Sequence, residues 1–308
     1  MVESKHQWKA WLYLAPAIVL LLVFTVWPII NTLIMAFRNG YSTLGVIGGE
    51  TFPFGVENFR NAVLLPDFLQ ALKTTTILCV ATVPVSTILA LLIAVALNSI
   101  KPLQRFLQTI FFLPYVTNSI AIGMVFAAMF NIIGPRLDLT QSDSVGIINQ
   151  AIMFFGGKPI NWINAGSSYE ANIIVMIIYI VWNALPFKIL ILLGGLQSIN
   201  KQYYEAAKVD GTPRWRVLTR ITVPLLSPMI AYVVITGFIG GFKEYSSVVG
   251  VFGDTMGPNN LNTMVGLVYD SLETSSQGMA SASALILFAI ILVITMINLR
   301  VSKKRVHY

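Results

Sequence analysis

Apolar residues follow one another in long blocks along this chain, and polar segments separate the blocks. Six blocks are long enough to cross about 30 Å of hydrocarbon as helices. They lie at roughly 10–36, 73–97, 106–133, 171–197, 225–252 and 279–300. The pattern predicts an all-α integral membrane protein with six transmembrane helices, which form a single membrane domain over residues 1–308.

The first block begins after Lys5 and Lys9, where a signal peptide would also lie. Its apolar core is longer than a signal peptide requires, and no small-residue cleavage site ends it. We interpret this block as a permanent helix that contains Pro16 and Pro28.

Composition agrees with a membrane protein and narrows the chemistry. Of the 308 residues, 56% are hydrophobic and only 11% are charged, and the mean hydropathy is +0.75, which lies outside the range of a soluble domain. The single cysteine, Cys79, excludes an internal disulfide. His6 and His307 lie outside every apolar block, so no histidine is available within the membrane. We therefore expect no catalytic residue, no metal and no cofactor.

Lysine and arginine are distributed unequally between the segments that join the blocks. With the N-terminus inside, thirteen of the 20 lie in cytoplasmic segments and five in external ones, as the positive-inside rule requires. The cytoplasmic set is Lys5, Lys9, Lys101, Arg105, Lys201, Lys208, Arg214, Arg216, Arg220, Arg300, Lys303, Lys304 and Arg305, and the external set is Arg38, Arg60, Lys73, Arg136 and Lys158. The count predicts a multi-pass protein with both termini in the cytoplasm. The net charge of +7 then reflects topology, and we infer nothing from it about substrate charge.

The longest polar stretch on the predicted cytoplasmic side is residues 203–228, YYEAAKVDGTPRWRVLTRITVPLLSP. Local chemistry predicts a first helix from Lys201 to Val209, which stops at Asp210-Gly211 because glycine adopts the left-handed conformation readily. A second helix should begin at Thr212-Pro213 and run to Val223, before Pro224. DNA binding by this helix–turn–helix is disfavoured, since too few soluble residues flank it to build a DNA-binding domain. A plain amphipathic loop at the membrane surface is the alternative.

The same stretch carries a recognisable motif, E-A-A followed by three residues and G. It resembles the coupling motif of permease subunits of binding-protein-dependent ABC importers. The matching residues are Glu205, Ala206, Ala207, Asp210 and Gly211. The flanking LLGGLQSI and ITVPLLSP resemble the sugar-importing, maltose-type branch. Further similar segments occur at 55–75, 111–126, 145–162, 257–263 and 278–284, so the resemblance runs in order from the first block to the sixth.

The resemblance implies a transport component rather than an enzyme. The chain has no GxxxxGK[ST] loop, so ATP hydrolysis would come from two copies of a separate cytoplasmic ABC ATPase, docked on the coupling loop 198–224. A second, homologous permease would form a heterodimer with this chain. An extracytoplasmic sugar-binding protein would dock on the outer segments, the largest of which are 38–72 and 134–170. The implied location is the bacterial plasma (inner) membrane, with the lipid bilayer as a further partner and no nucleic acid.

Two segments within the blocks are candidates for the substrate pathway. The first is WNALPFK at 182–188, where Trp182 and Phe187 offer rings for a sugar face and Asn183 offers hydrogen bonds. Pro186 should open the helix locally, which is tolerated where the backbone faces protein or a water-filled cavity. Ordinary helix packing with a proline kink is the alternative. The resemblance to maltose-type permeases favours sugar contact, although Ala184 replaces a glycine of that relative.

The second candidate is GFIGGFKEY at 237–245, from which Gly241, Glu244 and Tyr245 are assigned to the pathway. A charge near the bilayer centre costs roughly 2.5–3.5 kcal/mol, so Glu244 and Lys243 should each face a cavity or a partner. Glu244 either accepts hydrogen bonds from sugar hydroxyls or pairs with a partner subunit, and a pair with Lys188 is a further hypothesis. The glycines, Gly237, Gly240 and Gly241, serve either close packing or ligand space.

The sequence thus predicts a permease subunit that forms half of the translocation pathway for a carbohydrate. Among carbohydrates, an oligosaccharide is favoured. The closest alternative is an ABC permease for another solute, such as an amino acid or phosphate. An ion-coupled secondary transporter with Glu244 as the ion site is disfavoured, because it would not need the long basic loop. An intramembrane enzyme is disfavoured by the lack of histidine, GxSxG and HExxH within the blocks.

Overall fold

The computed structural model describes residues 7–100, 104–131, 145–253, 261–274 and 276–305. This part of the chain is helical, apart from loops and isolated bridges such as the antiparallel one between Arg38 and Phe54, so the all-α prediction is confirmed there. Lys5, Lys101, Arg136 and both histidines lie outside the described residues, as do parts of the predicted segments 134–170 and 257–263.

Fourteen helical segments make up the described part of the chain. In order they are α1 (Trp8–Ala36), α2 (Thr43–Ile47), α3 (Glu57–Leu64), α4 (Pro66–Ser99), α5 (Gln104–Val116), α6 (Ser119–Phe130), α7 (Ile147–Phe154), α8 (Tyr169–Ser198), α9 (Lys201–Val209), α10 (Arg214–Leu225), α11 (Ser227–Phe242), α12 (Ser246–Phe252), α13 (Met264–Glu273) and α14 (Gln277–Arg305).

Four of these helices, α1, α4, α8 and α14, are long and apolar enough to cross a membrane as single helices. Two bent pairs meet the same criterion together, with a bend of 102° between α5 and α6 and of 70° between α10 and α11. By length and composition, the described residues therefore hold four spans, or up to six if each bent pair is one span.

The third and fifth apolar blocks differ from the continuous helices that their hydropathy predicts. In the third block, Asn118 has an extended backbone, and its Oδ1 accepts from Ile120 N at 2.8 Å and Ala121 N at 3.3 Å. The asparagine side chain thus starts a new helix where the backbone would otherwise continue the old one. In the fifth block, α11 ends at Phe242, and the carboxylate of Glu244 accepts from Ser247 N at 3.2 Å at the start of α12.

Within the described residues, two helices contain a π-turn that ends two positions before a proline. The turn Leu22–Val26 in α1 precedes Pro28, and the turn Leu218–Thr222 in α10 precedes Pro224. Proline lacks an N–H and crowds the carbonyl four residues earlier, and a widened turn relieves that conflict without ending the helix.

The chain divides into two compact units, and the larger comprises Pro66–Leu267 and Leu287–Tyr308. Within it α4 packs along α8, and α6 packs against α12. The contact between α6 and α12 depends on glycine, because a Cβ added to Gly123 would lie 2.6 Å from the backbone of Gly250. One buried cluster is centred on Tyr179 and a second on Leu192.

The smaller unit comprises Met1–Leu65 and Val268–Ile286. Its core is a small cluster of alanines that includes Ala36 and Ala62. Asn58 completes the end of α1, because its Nδ2 donates to Ala36 O at 3.0 Å and its Oδ1 accepts from Gly40 N at 3.0 Å. Most apolar side chains of α1 remain exposed, as expected of a helix that contacts lipid.

Candidate functional site

The larger unit contains a cavity of about 380 Å³ within the apolar blocks. Its walls come from α4, from the break between α5 and α6, from α8, and from α11 with the turn that follows it. The lining combines aromatic rings with hydroxyl and amide groups, and these groups come from segments far apart in the sequence. Such a lining suits a ligand that presents both apolar faces and hydrogen-bonding groups.

Four of the six residues assigned to the pathway from the sequence line this cavity, namely Asn183, Phe187, Gly241 and Glu244. Trp182 instead packs its ring against Phe126, with the centroids 5.3 Å apart, and is not among the lining residues. Tyr245 lies in the turn between α11 and α12 and is also outside the lining.

The three glycines of α11 have two different environments. A Cβ at Gly241 would lie 2.7 Å from the Sγ of Cys79, and a Cβ at Gly237 would lie 3.1 Å from Val83 and 3.3 Å from the Nζ of Lys188. Gly240, by contrast, has nothing within 4 Å of its added Cβ. Close packing against α4 and α8 therefore explains Gly237 and Gly241, whereas Gly240 leaves open space at the cavity.

The charges of the cavity do not pair with each other. Lys188 is only 4% exposed, and its ammonium donates to α4, at 2.7 Å to Ser86 Oγ, 3.0 Å to Thr87 Oγ1 and 3.2 Å to Val83 O. The hypothesis of a Lys188–Glu244 pair is therefore wrong in this structure. Burial is tolerated because all three ammonium protons find oxygen acceptors. Lys243 is exposed.

Sequence reasoning missed the cavity residues of α4 and of the α5–α6 break. Ser86 lines the cavity from α4, and Tyr115, Thr117 and Ser119 line it from the break. The ring of Tyr115 stacks on Phe187, with the centroids 5.7 Å apart and the planes 21° from parallel. The family resemblance covers the segment 111–126 only as a whole. The local signals that could have indicated the break are Pro114 and Asn118, a helix-disfavouring residue and a possible N-cap.

The second candidate site is the loop that follows α8. The predicted first helix, Lys201–Val209, is confirmed with those bounds. It ends in a Schellman motif: Gly211 has φ +63°, Gly211 N donates to Lys208 O at 3.2 Å, and Thr212 N donates to Ala207 O at 2.9 Å.

Three of the five motif residues line a groove on this loop. A groove of about 480 Å³ is lined in part by Ala206, Ala207 and Asp210. Glu205 and Ala206 are exposed, whereas Ala207 is buried. The small side chains leave the backbone of α9 accessible beside the groove, so another protein can approach it closely.

The second helix of the loop differs in detail from its prediction. Pro213 is the extended residue before the helix and not its first helical residue, and α10 continues through Pro224 to Leu225. The π-turn before Pro224 accounts for that continuation. The hydroxyls of Tyr204 and Thr222 lie 3.3 Å apart and link α9 to α10.

Comparison with known proteins gives consistent matches over nearly the whole chain. The family model for the binding-protein-dependent transport system inner membrane component matches residues 67–307. The chain is 30% identical to the lactose transport system permease protein of Rhizobium radiobacter, over 94% of this chain and 91% of that protein. It is 29% identical to the arabinooligosaccharides transport system permease protein of Bacillus subtilis strain 168, over 95% of this chain and 88% of that protein.

Among solved structures, the chain matches a bacterial ABC transporter involved in the import of the acidic polysaccharide alginate. The TM-score is 0.76 at 23% identity, over 97% of this chain and 96% of that chain. A complex of the alginate transporter with its pentasaccharide-bound periplasmic protein gives 0.75 at 22% identity, with the same coverage. At this identity the likeness establishes a shared fold.

Proposed function

The chain belongs to the family of inner membrane components of binding-protein-dependent transport systems, and from that premise we propose that it forms half of the translocation pathway of an ATP-driven oligosaccharide importer. The resemblance inferred from the E-A-A segment is confirmed by the family match over residues 67–307. The chain is accordingly a multi-pass inner-membrane protein and a transport component.

The cavity is the observation that carries the proposal of a carbohydrate. Phe187 and Tyr115 provide stacked rings, and Asn183, Ser119 and Thr117 provide neutral hydrogen-bonding groups. Sugars present C–H faces to rings and hydroxyls to such groups. The names of the relatives, which specify lactose and arabinooligosaccharides, support the same substrate class.

The charges of the cavity favour an uncharged ligand. Lys188 is buried and already donates its three protons to α4, so it has none left for a phosphate or carboxylate. Glu244 lines the same wall and offers no positive charge to an anion. A phosphate or other anionic solute is therefore disfavoured.

We assign ATPase coupling to the loop 198–224. The small side chains of Ala206 and Ala207 leave room beside the groove for the ATPase to approach the backbone of α9. Glu205 offers an exposed carboxylate to a basic or amide group of the ATPase. Asp210 and Gly211 end the helix and set the direction of the chain into α10. Closure of two ATPase subunits would move this rigid loop, and with it the helices α8 and α11 that carry the cavity.

In the proposed topology α5 and α6 together form one span and the block 225–252 forms another, so the chain crosses the membrane six times with both termini in the cytoplasm. The loop between α6 and α8 then faces outward, where the binding protein docks. Phe154 and Phe155 are 84% and 86% exposed at the end of α7, and they offer an apolar contact for it. Within this loop, hydrogen bonds join residues 149 and 160, since Asn149 accepts from Ile160 N at 3.0 Å and donates to Ile160 O at 2.8 Å.

The test is uptake by the complete importer in proteoliposomes, with this chain, its partner permease, the ATPase and the binding protein. We expect ATP-dependent uptake of neutral oligosaccharides from a panel that also contains monosaccharides, uronate oligosaccharides, amino acids and phosphate. Uptake of only a non-sugar solute would overturn the carbohydrate assignment. Uptake driven by a sodium or proton gradient without ATP would overturn the importer assignment altogether.

A further inference from the structure

The break in the third apolar block points into the cavity. α5 ends at Val116 and α6 begins at Ser119, with a bend of 102° between them. Within hydrocarbon, free backbone groups at such a break require protein or water partners, so irregular backbone occurs where it is enclosed or lines a cavity. The break therefore forms part of the cavity wall, which it lines with Tyr115, Thr117 and Ser119.

Aromatic rings continue from this break across three helices. Tyr115 stacks on Phe187, and Phe112 lies 5.5 Å from Tyr115 between ring centroids. On the other side, the ring of Tyr232 lies 6.5 Å from that of Phe187. Tyr115 and Tyr232 are 51% and 47% exposed, so both rings retain accessible surface. Of these rings, Tyr115 and Phe187 line the cavity, so its wall carries two rings that come from two different spans.

Hydrogen bonds hold Ser119, a polar residue of the same cavity wall, in place. The hydroxyl of Tyr179 donates to Ser119 O at 2.6 Å and lies 2.9 Å from Ser119 Oγ. Asn183 Nδ2 donates to Ser119 Oγ at 3.5 Å, which is a long and weak bond. The amide of Asn183 thus keeps most of its hydrogen-bonding capacity for a ligand beside the rings.

From these contacts we propose that the broken third span is a second wall of the substrate site, in which Tyr115 stacks on a sugar unit next to the one at Phe187. Contact of neighbouring sugar units with Tyr115 and Phe187 then determines a preference for oligosaccharides over monosaccharides. This inference rests on the proposed function, since it concerns the same cavity and the same substrate class.

The test compares transport of one sugar at several chain lengths by the complete importer. Transport rates are measured with saturating, ligand-loaded binding protein for the monosaccharide, disaccharide and trisaccharide. Because the binding protein is unchanged, any shift in the ratio of rates originates in the permease. For Tyr115→Ala we expect the trisaccharide-to-monosaccharide ratio to fall on the order of tenfold, as befits the loss of one stacked ring.

Three further variants separate stacking from structural damage. Tyr115→Phe keeps the ring, so it should retain the wild-type ratio to within about threefold. Tyr115→Leu keeps apolar bulk without a ring and should behave like Tyr115→Ala, which provides a second variant if the alanine fails to assemble. The matched control is Phe106→Ala, because Phe106 lies on the same helix, is 64% exposed and does not line the cavity.

Each outcome bears on the proposal. An unchanged length ratio in Tyr115→Ala, or an equal change in Phe106→Ala, overturns the second wall and leaves the sugar importer intact. A wild-type importer that carries only monosaccharide overturns it as well. A wild-type importer that carries no sugar of any length refutes the proposed function, and the second wall falls with it.

Discussion

Gly211 offers the sharpest test of the coupling loop, because its role is a backbone conformation. Its φ of +63° lies in the left-handed region, and the Schellman bonds from Gly211 N to Lys208 O and from Thr212 N to Ala207 O depend on it. A Cβ added at Gly211 would meet nothing within 4 Å. Any penalty of substitution therefore arises from the backbone and not from crowding.

The magnitude follows from that conformation. For a residue with a Cβ, the left-handed conformation costs about 1–2 kcal/mol of conformational free energy, and for a β-branched residue it costs more. Since 1.4 kcal/mol is a factor of ten in an equilibrium, Gly211→Val should lower the population of the native turn by at least about tenfold. Asparagine adopts this conformation readily, so the free-energy cost for Gly211→Asn should be much smaller.

The assay is ATP hydrolysis by the reconstituted importer, stimulated by loaded binding protein, together with sugar uptake. We expect Gly211→Val to lose most of both, Gly211→Asn to keep most of both, and all variants to insert and assemble normally. The control is Gly194→Ala, since Gly194 also has nothing within 4 Å of its added Cβ but lies inside helix α8. Stimulated hydrolysis that survives Gly211→Val would refute the coupling role. Equal losses in Gly211→Asn and Gly211→Val would refute the backbone explanation.

Two more glycines give contrasting expectations. Gly240→Leu should fill open cavity space and reduce oligosaccharide uptake while the complex keeps its melting temperature, whereas Gly241→Leu should lower that temperature by pressing on Cys79. Equal melting temperatures for the two variants would contradict the assigned difference. Gly123→Val should separate α6 from α12, because its Cβ would lie 2.6 Å from the backbone of Gly250. We expect the complex to be destabilised by about 1–3 kcal/mol in thermal unfolding. An unchanged unfolding curve would show that α6 and α12 are not tightly packed at this position.

The features that sequence reasoning recovered are those set by neighbouring residues. A helix in an apolar block follows from the length of the block, because hydrocarbon offers the backbone no other partner. The helix Lys201–Val209 and its stop at Gly211 follow from glycine's freedom at positive φ. The E-A-A motif at 205–211 indicated a permease family from the sequence alone, and the family match over residues 67–307 agrees with it.

The features that required the tertiary structure are those set by other helices. Lys188 has its hydrogen-bond partners on α4, about a hundred positions earlier in the chain, so no local pattern predicts them. Whether Trp182 or Phe187 faces the cavity depends on which neighbours cover each side of α8. Gly240 and Gly241 are adjacent and identical in kind, yet one meets open space and the other meets Cys79. Local chemistry thus decides where a helix begins and ends, whereas the face that meets the cavity is decided by the helices packed around it.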